Sequence, residues 1–164
     1  MPAQQSIAVL VLFLHNLSTV VWIGGLITLG IAVLPSARKV LGAGSQTKEL
    51  MDAIQRRLRV LIYASIAVLI VTGLLMTNRS PAYEGFLAFS SNYSTALSLK
   101  HVLVSIMIVV TVARSLAVDR WGVLSNESRE KLKAGLLFLN ISLGIIVLML
   151  SSITATLSTG RPPG

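Results

Sequence analysis

Residues 10–26 read LVLFLHNLSTVVWIGGL, and His15 is the one ionisable group in the run. The apolar character continues through ITLGIAVL to Pro35. A helix crosses about 30 Å of hydrocarbon in about 20 residues. The segment from about 7 to 35 is therefore long enough to span a bilayer, with an excess that tilt or projection absorbs. The chain's other histidine, His101, falls in a second such run, LSLKHVLVSIMIVV at residues 97–110. An ionisable side chain in hydrocarbon is expensive and marks a functional site by default.

Working outward from these two runs, four spans emerge, at about 7–35, 60–78, 97–118 and 134–157. Of 164 residues, 54% are hydrophobic and 12% charged, against about a quarter charged in a soluble domain. The expectation is a single all-α domain over 1–164, an integral membrane four-helix up-down bundle in a lipid bilayer. The chain has no cysteine, which excludes thiolate metal sites, iron–sulfur clusters and disulfides. A net charge of +8 could suggest nucleic acid. The charges instead sit in loops between apolar spans, and no nucleic-acid partner is expected.

Those loop charges set an orientation. Arg38, Lys39, Lys48, Arg56, Arg57 and Arg59 separate the first two spans, and Arg120, Arg129, Lys131 and Lys133 separate the last two. The middle connection offers Arg79, with Lys100 at the start of the third span. Basic loops stay on the cytoplasmic side, so both termini are expected on the outer side of a prokaryotic plasma membrane. The stretch 79–96, RSPAYEGFLAFSSNYSTA, reads as an outer interfacial loop with aromatic anchors, or as a lid over an outer site. Residues 45–59 read as a short amphipathic helix leading into the second span, and Ser125 or Asn126 as an N-cap for the fourth.

Measured from Pro35 and Trp121, each histidine lies about 30 Å above the inner boundary, at 1.5 Å per residue. Both fall in the outer half. In an up-down bundle the first and third spans are diagonal partners. With neighbouring axes 8–10 Å apart, the diagonal gap of about 12–14 Å matches two imidazoles and an iron. That arrangement suits a haem b with His15 and His101 as axial ligands. A copper site is the alternative, since Met76 and Met149 also fall toward the outer ends of their helices and imidazole with thioether suits Cu(I). Structural histidines, hydrogen-bonded without a cofactor, and a proton relay are the remaining readings. Thr19, four residues after His15, is positioned to take a hydrogen bond or to lie against a cofactor edge. Lys100 either snorkels to the interface or, with Arg79 and Arg161, meets a haem propionate. Asn16 and Asn140 are expected to face neighbouring helices. Gly25, with Gly24, Gly30, Gly73 and Gly144, allows close approach of a helix or a flat macrocycle.

The sequence of the first span, LHNLSTVVWIGGLITLGIAVLP, carries His15, Trp22-x-Gly24-Gly25 and Pro35. The second has a basic run followed by Thr72-Gly73, and the third opens LKHVLV with Lys100. This pattern resembles the CopD-like and HemJ-like group of small four-helix membrane proteins. The resemblance implies haem b held by a first-span histidine, or a link to copper uptake or delivery. The aromatic-rich WFAGLFYLPR stretch of HemJ-like proteins does not occur. The expectation is thus an electron-transfer or transport component, not a stand-alone catalyst. It would be a subunit of a larger membrane complex, exchanging electrons with a quinone or an outer-side redox protein. A purely structural accessory subunit without cofactor is the third reading.

Overall fold

The computed structural model describes residues 3–77, 85, 87–120 and 126–158. Among them, regular structure is entirely helical. Helix α1 covers Ala3–Leu41, α2 Ser45–Thr77, α3 Asn92–Arg120 and α4 Asn126–Ser158. Each contains a stretch long and apolar enough to cross a membrane. The chain divides into two compact units, Met1–Ser80 with α1 and α2, and Pro81–Gly164 with α3 and α4. Arg79, Tyr83, Trp121, Ser125 and Arg161 lie outside the described residues.

Every helix exceeds the apolar stretch from which it was read. The first does not stop at Pro35 but runs on to Leu41. A proline inside a helix lacks an N–H, and its ring crowds the carbonyl four residues back. Here the turn just before it, Thr28–Val33, is π-helical, and its wider winding accommodates the ring. A second π-helical turn spans Val20–Gly24. The two have a packing consequence. Trp22, Leu26 and Gly30 are all buried and recur every four residues. On a regular helix that spacing drifts by about 40° per step, at about 100° per residue. The wider π turns offset the drift and hold the three on one face.

Gly42 ends α1 at φ 74° and ψ −171°, a conformation essentially confined to glycine. Only Gly42, Ala43 and Gly44 separate α1 from α2. Buried Thr47 fastens the turn, its hydroxyl donating to the Gly42 carbonyl at 2.6 Å and reaching that of Ala37 at 3.4 Å. Residues 45–59, read as a short amphipathic helix leading into the second span, form one continuous helix with it.

In the second unit, α3 begins at Asn92, so 92–96 is helix and not loop. The reason is a reciprocal cap. Ser91 Oγ accepts from the Ser94 N–H at 3.1 Å, and the Ser91 N–H donates to Ser94 Oγ at 3.0 Å, the two-way pattern of a capping box with serine at the third helical position. Ser98, 1% exposed, donates to the Ala88 carbonyl at 2.8 Å and folds the preceding segment back along the helix. Farther in, Asn140 Nδ2 donates across the hairpin to Thr111 Oγ1 at 2.7 Å.

Candidate functional site

The tight turn at Ala43 fixes which residues of α1 and α2 meet. A residue n places before the turn faces one about n places after it. His15 lies 28 before Ala43 and Thr72 29 after, and His15 Nδ1 and Thr72 Oγ1 are 2.9 Å apart. The Thr72 hydroxyl has one proton, which points to the Val68 carbonyl at 2.6 Å. Its oxygen therefore accepts, and His15 Nδ1–H donates. In a neutral His15 this pairing puts the proton on Nδ1 and the lone pair on Nε2, the nitrogen able to bind a metal. A metal-binding histidine is oriented by a hydrogen bond at its other ring nitrogen in the same way. Next to Thr72, Gly73 lies alongside the ring, whose Cε1 is 4.0 Å from where a Cβ would be, an ordinary contact distance.

The same register refines the position of His15 along the hairpin. Thr72 lies 13 residues beyond Arg59, about 20 Å along the helix. It lies five residues before Thr77, the end of α2, or about 8 Å. The ruler at Pro35 gave about 30 Å because it took α1 as ending there. Level with Arg59, α1 has reached only Gly25 and its neighbours, and the rest continues past the basic end of α2.

The other expected site residues fall as follows. Thr19 donates to the His15 carbonyl at 2.9 Å, closing on its own helix. A Cβ on Gly25 would stand 2.9 Å from Leu58 Cδ1, so that glycine admits the second helix. Asn16 is exposed. Met76 lies one turn beyond Thr72 toward the end of α2 and is 37% exposed, whereas Met149 is 66% exposed. On α3, Lys100 and His101 are both half-buried, and the His101 carbonyl accepts from Ser105 Oγ at 2.9 Å. His101 lies nine residues into α3, and Ser98 stands one turn before it on the same side. His15 belongs to the first hairpin and His101 to the second.

Thr72 and Trp22 carry more than the sequence reading gave them. Thr72 was noted in a motif, but within-helix spacing pointed to Thr19 as the partner of His15. Reflection about the Gly42–Gly44 turn would have found Thr72. Trp22 is 2% exposed, and its indole N–H is buried without a hydrogen-bond partner among the described residues. Those residues also hold no group of three or more His, Cys, Asp or Glu side chains suited to a metal ion. Compared with known proteins, the chain matches no family model, no curated protein and no solved structure.

Proposed function

We propose that the protein is a membrane electron-transfer component that holds haem b, in keeping with the CopD-like and HemJ-like resemblance. The observation that carries this reading is the His15–Thr72 hydrogen bond, which anchors the imidazole through Nδ1. A haem brings four ring nitrogens of its own and asks the protein only for axial ligands. In this reading His15 and His101 would hold the haem iron, Lys100 would neutralise a propionate, and Thr72 would orient the first imidazole. When bound, the haem supplies a one-electron couple. Closure of both axial positions by histidine favours electron transfer over oxygen chemistry.

In this reading the basic connections face the cytoplasm and the histidines lie in the outer half of a prokaryotic plasma membrane, as the positive-inside distribution of the loop charges supports. The electron partners are then an outer-side redox protein and a quinone or a neighbouring subunit. Copper delivery is the second reading, supported by Met76, one turn from Thr72 on the same side of α2. Exposure of Met149 weakens the four-ligand form of that site.

Absorption spectroscopy of the detergent-purified protein tests the proposal. Soret and α bands on reduction, lost in both His15→Ala and His101→Ala, are the expected result. A colourless protein that takes no added haemin but binds copper stoichiometrically overturns it in favour of copper. A colourless protein that binds neither leaves a structural subunit.

A further inference from the structure

The two helices of the first hairpin end their apolar runs at different levels. On α2 the run covers Val60–Thr77, 18 residues or about 27 Å, close to the thickness of a hydrocarbon core. Before it, residues 48–59 carry Lys48, Glu49, Asp52, Arg56, Arg57 and Arg59. The two carboxylates sit toward the turn and the three guanidiniums at the foot of the apolar run. On α1 no Asp, Glu, Lys or Arg occurs from Ala3 to Ala37. Level with Leu58, α1 has reached Gly25. From there to the turn, the uncharged stretch Leu26–Ala37 therefore runs beside the charged stretch of α2.

One seam joins the two stretches. Leu29, Gly30 and Ala37 of α1 and Thr47 and Met51 of α2 are buried, and Thr47 bonds back to α1. What the seam leaves outside differs between the flanks. On α1, Thr28, Ile31 and Ala32 are exposed, Ile31 by 62%. On α2, Lys48, Arg56 and Arg57 are exposed, and none of the three has an ion-pair partner among the described residues. A stalk standing in water would solvate both flanks and leave the apolar one uncovered. An apolar flank beside a cationic one is the pattern of helices lying in a membrane interface.

The position of the cations names their partner. Arg57 and Arg59 give way directly to Val60 and Leu61, 68% and 54% exposed, with exposed Tyr63 as an interfacial aromatic one turn on. Guanidiniums at the edge of a lipid-facing apolar run stand at the depth of lipid phosphates, which they match with two-point hydrogen bonds. Unpaired cations favour a headgroup whose phosphate is not neutralised by a cation of its own. We propose that the Gly42 end of the first hairpin lies in the membrane interface and binds anionic phospholipid, with Leu26–Ala37 of α1 against acyl chains and Arg56 and Arg57 on headgroup phosphates. The proposal depends neither on haem nor on which side of the membrane the turn occupies.

Two measurements test it. The chain has no cysteine, so nitroxide labels go on Ile31→Cys and Ala53→Cys, exposed positions 12 places before and 10 places after Ala43. In nanodiscs of phosphatidylglycerol and phosphatidylcholine, collisions with oxygen should dominate at 31 and collisions with a water-soluble nickel chelate at 53. Nickel dominating at both makes the hairpin end a stalk in water and overturns the proposal. A label at 31 shielded from both reagents makes that flank a protein contact and overturns it too. Native mass spectrometry then counts the lipids retained from an equimolar mixture of the two with matched chains. Phosphatidylglycerol should be retained in preference, and Arg56→Gln/Arg57→Gln should lose that preference. Both side chains are exposed, and circular dichroism checks that the double variant keeps its helices. Equal retention of the two lipids, or a preference that survives the double variant, overturns the assignment to Arg56 and Arg57.

Discussion

At the scale of single residues, the first hairpin is organised by what faces His15. Thr72 donates to Val68 and accepts from Nδ1, so its hydroxyl sets the tautomer of a neutral ring. Thr72→Val keeps the shape and removes the acceptor. In the haem reading the expected outcome is about 10- to 100-fold weaker haemin binding, the usual cost of losing a hydrogen bond that orients a metal ligand. Thr72→Ser should retain most of the affinity. Titration with haemin, followed by absorption, separates the two, and equal weakening by Val and Ser would remove the hydroxyl from the argument. Gly25 allows a second residue-scale test. A Cβ there meets the terminal methyl of Leu58 at 2.9 Å, and a leucine end can rotate away. Gly25→Ala should therefore be nearly neutral, because the packing cost is offset by about 1 kcal/mol of improved helix propensity. Gly25→Ile should cost about 1–3 kcal/mol by overpacking, partly recovered by Leu58→Ala. Thermal unfolding in detergent reads both.

At the scale of elements, helix ends are decided by a few backbone bonds, and these were the least legible part of the sequence. Ser90, Ser91 and Asn92 have the composition of a loop and were read as one. In the fold, Ser91 and Ser94 cap each other and Asn92 is already helical. Ser91→Ala should destabilise the first turn of α3 by about 1 kcal/mol, seen as amide exchange about fivefold faster at 92–96 with α4 unchanged. The inner end of α1 was misread for a different reason. Pro35 is a strong stop signal on a regular helix, but the π turn at Thr28–Val33 relaxes the clash, and nothing in local composition announces that turn. The true stop is Gly42. Its φ of 74° with ψ −171° makes Gly42→Ala a strained substitution, with an expected loss of about 1–3 kcal/mol in hairpin stability by the same thermal assay. Within the candidate site, His15 and its membrane setting were legible because a lone imidazole stands out against an apolar run. Its partner was not, because Thr72 is 57 residues away and becomes visible only once the turn fixes the register.

At the scale of the whole molecule, the four spans were legible from hydropathy alone, since mean composition over some 20 residues is insensitive to errors at the ends. Orientation rests on a different quantity, the distribution of Lys and Arg. The Gly42–Gly44 turn is flanked by Arg38, Lys39 and Lys48, with Arg56, Arg57 and Arg59 farther along α2. The connection before α3, residues 78–91, carries a single cation, Arg79. Holding the basic turn on the cytoplasmic side follows the rule that translocating Lys and Arg is disfavoured. The natural chain has no cysteine, so single-cysteine labelling needs no background substitutions. Ala43→Cys lies in the α1–α2 turn, and Ser90→Cys is exposed just ahead of α3. In intact cells a membrane-impermeant maleimide should label the Ser90 variant and spare the Ala43 variant, which should react only after permeabilisation. The reverse pattern would place the basic turn outside. It would also move His15, about 8 Å from the Thr77 end of α2 and about 20 Å from Arg59, to the cytoplasmic half of the membrane. An outer-side electron partner would then be replaced by an inner one, while the His15–Thr72 pair would stand unchanged.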